Sequence, residues 1–301
     1  MNICFFSIVT SWHGMKGGME VHGKILCEEL VKKGHEVTVI STRHPEGKDF
    51  EESNGIRLHY LDNTVFGSKR NGWETASLKK FLELEQVKNF DIVFSMSAII
   101  PKKFVSRMGI PIVVISEGTG IMMLQSEIKQ AFRHKRGLKR LIKIFLSILY
   151  YYFLWELLYK EYDSQIAVSD EVANSIHKWQ FVSKEKIHTV YNGAETSLFC
   201  PDQSQRDRIR SALDISEKEK VLLFFSLVTK QKGLHLLIMA LPDILKEYGY
   251  IKLLVVGEGD YLTEAKQLVS QLGLEKYVIF TGYVSHKYTS YYINASAIFI
   301  L

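Results

Sequence analysis

The sequence is poor in the residues that mark several protein classes. It holds three cysteines, Cys4, Cys27 and Cys200, far apart and odd in number. That excludes a disulfide-stapled scaffold and a closely spaced zinc motif, and it fits a reducing cytoplasm. With only five prolines in 301 residues, no rigid proline-rich linker is present. The opening Met1-Asn2-Ile3-Cys4-Phe5-Phe6 has no basic lead, so it reads as a first strand rather than a secretion signal. No G-x-G-x-x-G follows a strand, which removes the dinucleotide fingerprint. The basic excess is slight, 38 Lys and Arg against 33 Asp and Glu. A net charge of +5 suits an anionic ligand or an anionic membrane surface and does not argue for a nucleic-acid partner.

What the chain has is alternation. Apolar runs at residues 3–9, 35–41, 56–61, 91–96, 110–116, 164–168 and 186–191 read as strands. Between them lie helical stretches at residues 17–33, 73–88 and 125–162, and a helix that Ser169 caps. Val21, Ile25, Leu26 and Leu30 share one face of the first helix, and Gly34 closes it. A break follows at Asn192-Gly193, and the stretch 193–203 carries Pro201 near its polar end. The pattern then restarts, with strands at 220–227, 251–256, 277–280 and the terminal 297–301, and helices at 233–248, 260–272 and 285–292. Strands interleaved with helices predict parallel sheets covered on both faces. The expected domains are 1–192 and 204–301, joined by the linker 193–203.

Several strand ends carry residues suited to a ligand. Gly17-Gly18-Met19-Glu20 stands between the first strand and its helix, where glycines admit close approach and free amides favour phosphate. The same pair also serves as a plain tight turn. Glu117, in Ser116-Glu117-Gly118-Thr119-Gly120, follows a strand end and reads either as a hydroxyl-binding or basic carboxylate or as a solvated loop acid. Lys230 and Lys232 precede Gly233 at a helix start, as a diphosphate site or a solvated basic loop. Gly257-Glu258-Gly259 is again at a strand end, with Glu258 either a hydroxyl ligand or a turn residue.

A further stretch joins six cations, Arg133, Lys135, Arg136, Lys139, Arg140 and Lys143, to an apolar aromatic run ending at Trp155. The run is shorter than the roughly 20 residues a spanning helix needs. The segment from Arg133 to Trp155 reads as a membrane-surface helix or as a helix packed on the sheet with a basic end.

Taken in order, these motifs resemble glycosyltransferase family 4, of GT-B architecture. Gly17-Gly18-Met19-Glu20 and Gly34-His35-Glu36-Val37-Thr38-Val39 match its glycine loop and second strand. Ile166-Ala167-Val168-Ser169, and Tyr191-Asn192-Gly193-Ala194-Glu195 with Phe199, resemble the end of its first domain. Lys232-Gly233, Val256-Gly257-Glu258-Gly259 and Phe280-Thr281-Gly282-Tyr283-Val284 are similar to its second-domain motifs. Three departures stand out. Ser226-Leu227 occupies the place of a usual Gly-Arg, Glu117 stands where a histidine is frequent, and the family's two glutamates seven residues apart would follow Leu301.

The resemblance implies an α/β fold of two Rossmann-like domains facing a cleft, the second expected to be incomplete. It implies a retaining glycosyltransferase that needs no metal or other cofactor. The sugar would pass from a nucleotide-sugar donor to a lipid-linked or polysaccharide acceptor in cell-surface glycan synthesis. The catalytic residues would be Glu117 and Lys232. Donor binding would fall to Gly17, Gly18, Lys230, Lys232, Gly257, Glu258 and Gly259, with Tyr283 and Val284 flanking the base. The expected place is the cytoplasm, peripheral on the inner face of the membrane. Two other readings stay open: a sugar-nucleotide epimerase of the same architecture, and a non-catalytic half that binds nucleotide or a partner chain.

Overall fold

The structure is a computed structural model describing residues 1–15, 17–69, 72–96, 98, 100, 109–122, 146 and 161–300. The helix expected at 125–162, with the stretch from Arg133 to Trp155 inside it, falls almost wholly outside these described residues. The chain divides into two compact units, Met1–Asn192 and Gly193–Leu301.

Among the described residues the first unit has eight strands: β1 (Asn2–Ser7), β2 (Glu36–Thr42), β3 (Phe50–Ser53), β4 (Ile56–Leu61), β5 (Ile92–Met96), β6 (Ile112–Ser116), β7 (Ser164–Ala167) and β8 (Ile187–Thr189). Their order in the sheet is β3-β4-β2-β1-β5-β6-β7-β8. All pairs are parallel except β3 with β4. Alternate side chains of one strand feed two cores. Cys4 and Phe6 join Trp73 and Phe81 of α2 (Trp73–Lys88), whereas Ile3 and Phe5 join Cys27 of α1 (Gly18–Lys32). The central strands therefore carry continuous apolar runs, as burial on both faces requires. Cys4 and Cys27 are buried free thiols, with burial holding both well above the ordinary thiol range.

Local signals set the element ends. Gly34 lies in the left-handed region at φ +82° and ends α1, with its N–H on Val31 O and His35 N–H on Leu30 O. Ser169 caps α3 (Asp170–Gln180) by accepting from the Val172 N–H at 3.2 Å. Strand β3 has no counterpart in the apolar pattern, because Phe50-Glu51-Glu52-Ser53 is an edge strand with no buried residue. Its cue was the turn Asn54-Gly55, whose φ values of 51° and 77° make a tight hairpin onto β4.

The second unit orders four parallel strands as β11-β10-β9-β12, namely β9 (Lys220–Phe225), β10 (Ile251–Val256), β11 (Val278–Gly282) and β12 (Ile298–Ile300). Leu222, Phe224, Leu253 and Val255 face one core with α5 (Leu234–Tyr248) and α6 (Leu262–Gln271). Val221, Leu223, Leu254 and Val256 face the other, toward α4 (Gln203–Ala212) and α7 (Thr289–Ala295). Helix α4 begins inside the stretch read as linker, where Asp202 caps it by accepting from Gln205 N–H. Arg210 of α4 is buried and donates to the carbonyls of Ala295 at 3.1 Å and Glu219 at 2.9 Å, which locks α4 to the end of α7.

In the first unit a stacked histidine pair fixes the turn after β1. Thr10 N–H donates to His13 Nδ1 at 3.1 Å, so the ring proton sits on Nε2 and is donated to Thr42 O. Glu46 N–H donates to His44 Nδ1 in the same way, and His44 Nε2 donates to Trp12 O. The rings stack at 5.4 Å, and protonating either Nδ1 would break a backbone hydrogen bond. Burial lowers the His13 pKa below the ordinary imidazole value; the Thr42 carbonyl opposes this, and His44 adds to it. Because the folded pKa is depressed, this contribution to stability is complete above about pH 6.5 and is lost as pH falls through the folded value. The melting temperature should therefore drop between pH 7.5 and 5. Thermal unfolding followed by circular dichroism should show a shallower drop for His13→Asn.

Candidate functional site

In both sheets the parallel strands end at one edge, and the expected site residues stand in the turns at those edges. In the second unit the turn after β9 leads through a single helical turn, Lys230–Lys232, to Gly233 at φ +78° and into α5. No side chain caps α5. Lys230 and Lys232 are exposed, and neither has an ion-pair partner among the described residues. An uncapped helix start flanked by two free ammonium groups is a place where an anion of two or more charges is stabilised. Leu227, just before them, is 62% exposed and adds no charge.

The turn after β10 is docked on the turn after β9 by backbone hydrogen bonds. Ser226 N–H donates to Val256 O, Val228 N–H to Glu258 O at 2.8 Å, and Tyr261 N–H to Val228 O. A Cβ on Gly257, whose φ is +136°, would stand 2.0 Å from Ser226 O; one on Gly259 would stand 2.2 Å from Val228 O. The sequence reading gave these glycines to close approach by a ligand. The surface that approaches them is the chain's own 226–228 turn. Glu258 is exposed, and its Oε1 lies beside Gly282, 3.4 Å from where a Cβ would be.

Tyr283 and Val284 follow β11. Val284 packs into the core, and Tyr283 is exposed. Both line a groove of about 490 Å³ with Arg208, Tyr288, Tyr291 and Tyr292. Lys230, Lys232 and the Gly257–Glu258–Gly259 turn are not among its lining residues.

In the first unit, β1 pairs with β2 on one side and β5 on the other, so the strand order reverses there. Gly17 precedes α1, and a Cβ on it would lie 2.1 Å from Glu20 Oε2, so the carboxylate of Glu20 folds over it. Gly18 has nothing within 4 Å of a Cβ position. Glu117, after β6, is paired with the Nδ1 of His22 on α1. Both side chains are about three-quarters buried, at 26% and 23% exposure. The sequence reading did not single out His22. Its signal was its place one helical turn after Gly18, which puts both on one face of α1. Among the described residues there is no cluster of three or more His, Cys, Asp or Glu able to hold a metal. Among them, too, no helix is long and apolar enough to cross a membrane.

Comparison with known proteins identifies the family. Residues 16–198 match Glycosyltransferase Family 4, and residues 205–301 match Glycosyl transferases group 1. The chain belongs to glycosyltransferase family 4, with the α/β fold of the GT-B class. It is 25% identical over 286 residues to an alpha-monoglucosyldiacylglycerol synthase of Streptococcus pneumoniae, covering 94% of this chain and 62% of that protein. The chain spans under two thirds of the length of the first curated relatives it matches. A sucrose-phosphate synthase from Thermosynechococcus elongatus has the same fold at a TM-score of 0.73 and 18% identity, covering 99% of this chain and 74% of that one. So does Anabaena HepE, solved with UDP and glucose, at a TM-score of 0.65 and 19% identity, over 99% and 73%.

The docking of the two turns gives a direct expectation. Gly257→Ala puts a Cβ onto a backbone carbonyl at a φ that side chains avoid, and should cost roughly 2–4 kcal/mol of stability. Urea unfolding should show it, with Gly18→Ala, in open space, close to wild type.

Proposed function

We propose that the chain takes part in retaining transfer of a sugar from a nucleotide-sugar donor to a hydroxyl of a lipid-linked or polysaccharide acceptor. The observation that carries this reading is the pair of unpartnered ammonium groups, Lys230 and Lys232, at the uncapped start of α5. A nucleoside diphosphate is the leaving group in such a transfer. Charge develops on it as the bond to the anomeric carbon breaks, and fixed cations and amides stabilise that charge most. The reading assigns the diphosphate to Lys232, with Lys230 beside it where Leu227 supplies no charge. Glu258 would take a donor hydroxyl, and Tyr283 and Val284 would flank the base. Gly17, Gly18 and Glu117 would serve the substrate in the first unit. Support for the donor class comes from the family and from the UDP bound to the Anabaena neighbour. Support for a lipid acceptor comes from the product named for the pneumococcal relative. No metal is assigned a role, because the two lysines and the helix start already supply positive charge.

The reading extends to location. The stretch from Arg133 to Trp155 would hold the protein on an anionic cytoplasmic membrane face through its cations and aromatic residues.

Lys232→Ala should lower transfer at least about tenfold, roughly 1.4 kcal/mol of barrier. Nucleoside diphosphate release at low donor concentration measures it, and wild-type rates in the variant would remove the diphosphate assignment. Sedimentation with vesicles containing phosphatidylserine should show binding that weakens with salt, since screening shortens to about 8 Å at physiological ionic strength. Vesicles of neutral lipid should bind less.

A further inference from the structure

We infer that His22, held by Glu117, is a substrate-contacting residue that accepts a hydrogen bond from a sugar or polyol hydroxyl. The inference rests on the transferase reading and deepens it.

The chemistry begins with the pairing. A carboxylate only accepts hydrogen bonds, so the proton between Glu117 and His22 belongs to the imidazole Nδ1. In the neutral ring this leaves Nε2 as a lone-pair acceptor. Nε2 has no hydrogen-bond partner among the described residues, and the side chain keeps 23% of its surface open.

The place is as telling as the pairing. The residue after His22 is Gly23, where a Cβ would stand 3.1 Å from Met96 Sδ, and Met96 is the last residue of β5. Helix α1 therefore lies close on the sheet at this point and carries His22 over the carboxyl ends of β5 and β6. That is beside the reversal of strand order, where open α/β sheets bind ligands. One turn earlier on the same face, Gly18 leaves open space. An acceptor with no partner among the described residues, at that edge, suits a hydroxyl.

Glu117 is then a positioning residue. It fixes the ring orientation and the tautomer, and it touches the ligand only through His22. This differs from the sequence reading, in which Glu117 itself meets the substrate.

The test has two arms. In the first, ring-nitrogen NMR of the chain, with His22→Gln for assignment, should show the Nδ1–H form for His22, and Glu117→Ala should move it toward the opposite tautomer. A wild-type His22 in the Nε2–H form overturns the inference. In the second, release of nucleoside diphosphate from a panel of UDP-, GDP- and ADP-hexoses is measured with and without diacylglycerol. His22→Ala should lower kcat/KM roughly ten- to a hundredfold. Glu117→Ala should lower it less, and His22→Gln, which keeps an acceptor oxygen, should recover part of the loss. Loss of transfer with donor hydrolysis spared assigns the hydroxyl to the acceptor; loss of both assigns it to the donor sugar. An active wild type with an unaffected His22→Ala overturns this inference alone. A wild type that turns over none of the panel overturns the transferase reading, and the inference with it.

Discussion

Parallel strand pairing is the constraint on which the chemistry of this chain depends. A parallel strand can be followed by its neighbour only through a crossover, so every strand-to-helix turn leaves at the same edge of its sheet. The consequence is visible in both units. The turns after β1 and β6 bring Gly18, His22 and Glu117 to one edge, although Glu117 lies 95 residues from His22. The turns after β9, β10 and β11 do the same for Lys232, Glu258 and Tyr283. Strands buried on both faces make this edge the place where polar groups meet without cost to the core.

Within the second unit, one backbone interaction sets the shape of that edge. The turn after β10 can lie on the turn after β9 only because Gly257 and Gly259 have no Cβ. The carbonyl of Glu258 and the N–H of Val228 then pair, as do Tyr261 N–H and Val228 O. This pairing fixes residues 226–229, and with them the start of the helical turn that bears Lys230 and Lys232. The cations owe their position to glycines that sit nearly thirty residues further along the chain.

The fold was legible wherever burial wrote a period into the sequence. The apolar runs of β1, β2, β9 and β10 and the paired glycine and serine boundaries all appear as expected elements. Exposed elements were harder to see: β3 is a polar edge strand betrayed only by Asn54-Gly55, and α4 is a polar helix betrayed only by its Asp202 cap. For the site, the motifs put candidate residues in turns at strand ends, and two contacts there were not legible: Gly257 and Gly259 lie against the 226–228 turn, and Glu117 pairs with a histidine from another element. Such pairings depend on which turns share an edge, and that is a property of strand order, which a single sequence carries only indirectly.

Transfer from a nucleotide sugar is the central proposal, and the products of one reaction test it most directly. Incubating the chain with labelled nucleotide hexoses and an acceptor lipid, then following the products by NMR, separates the possible chemistries. The account predicts stoichiometric release of nucleoside diphosphate with a new glycosidic bond that keeps the anomeric configuration of the donor. A nucleotide sugar altered at a ring carbon with no acceptor consumed, or no nucleoside diphosphate released from any donor, would contradict it.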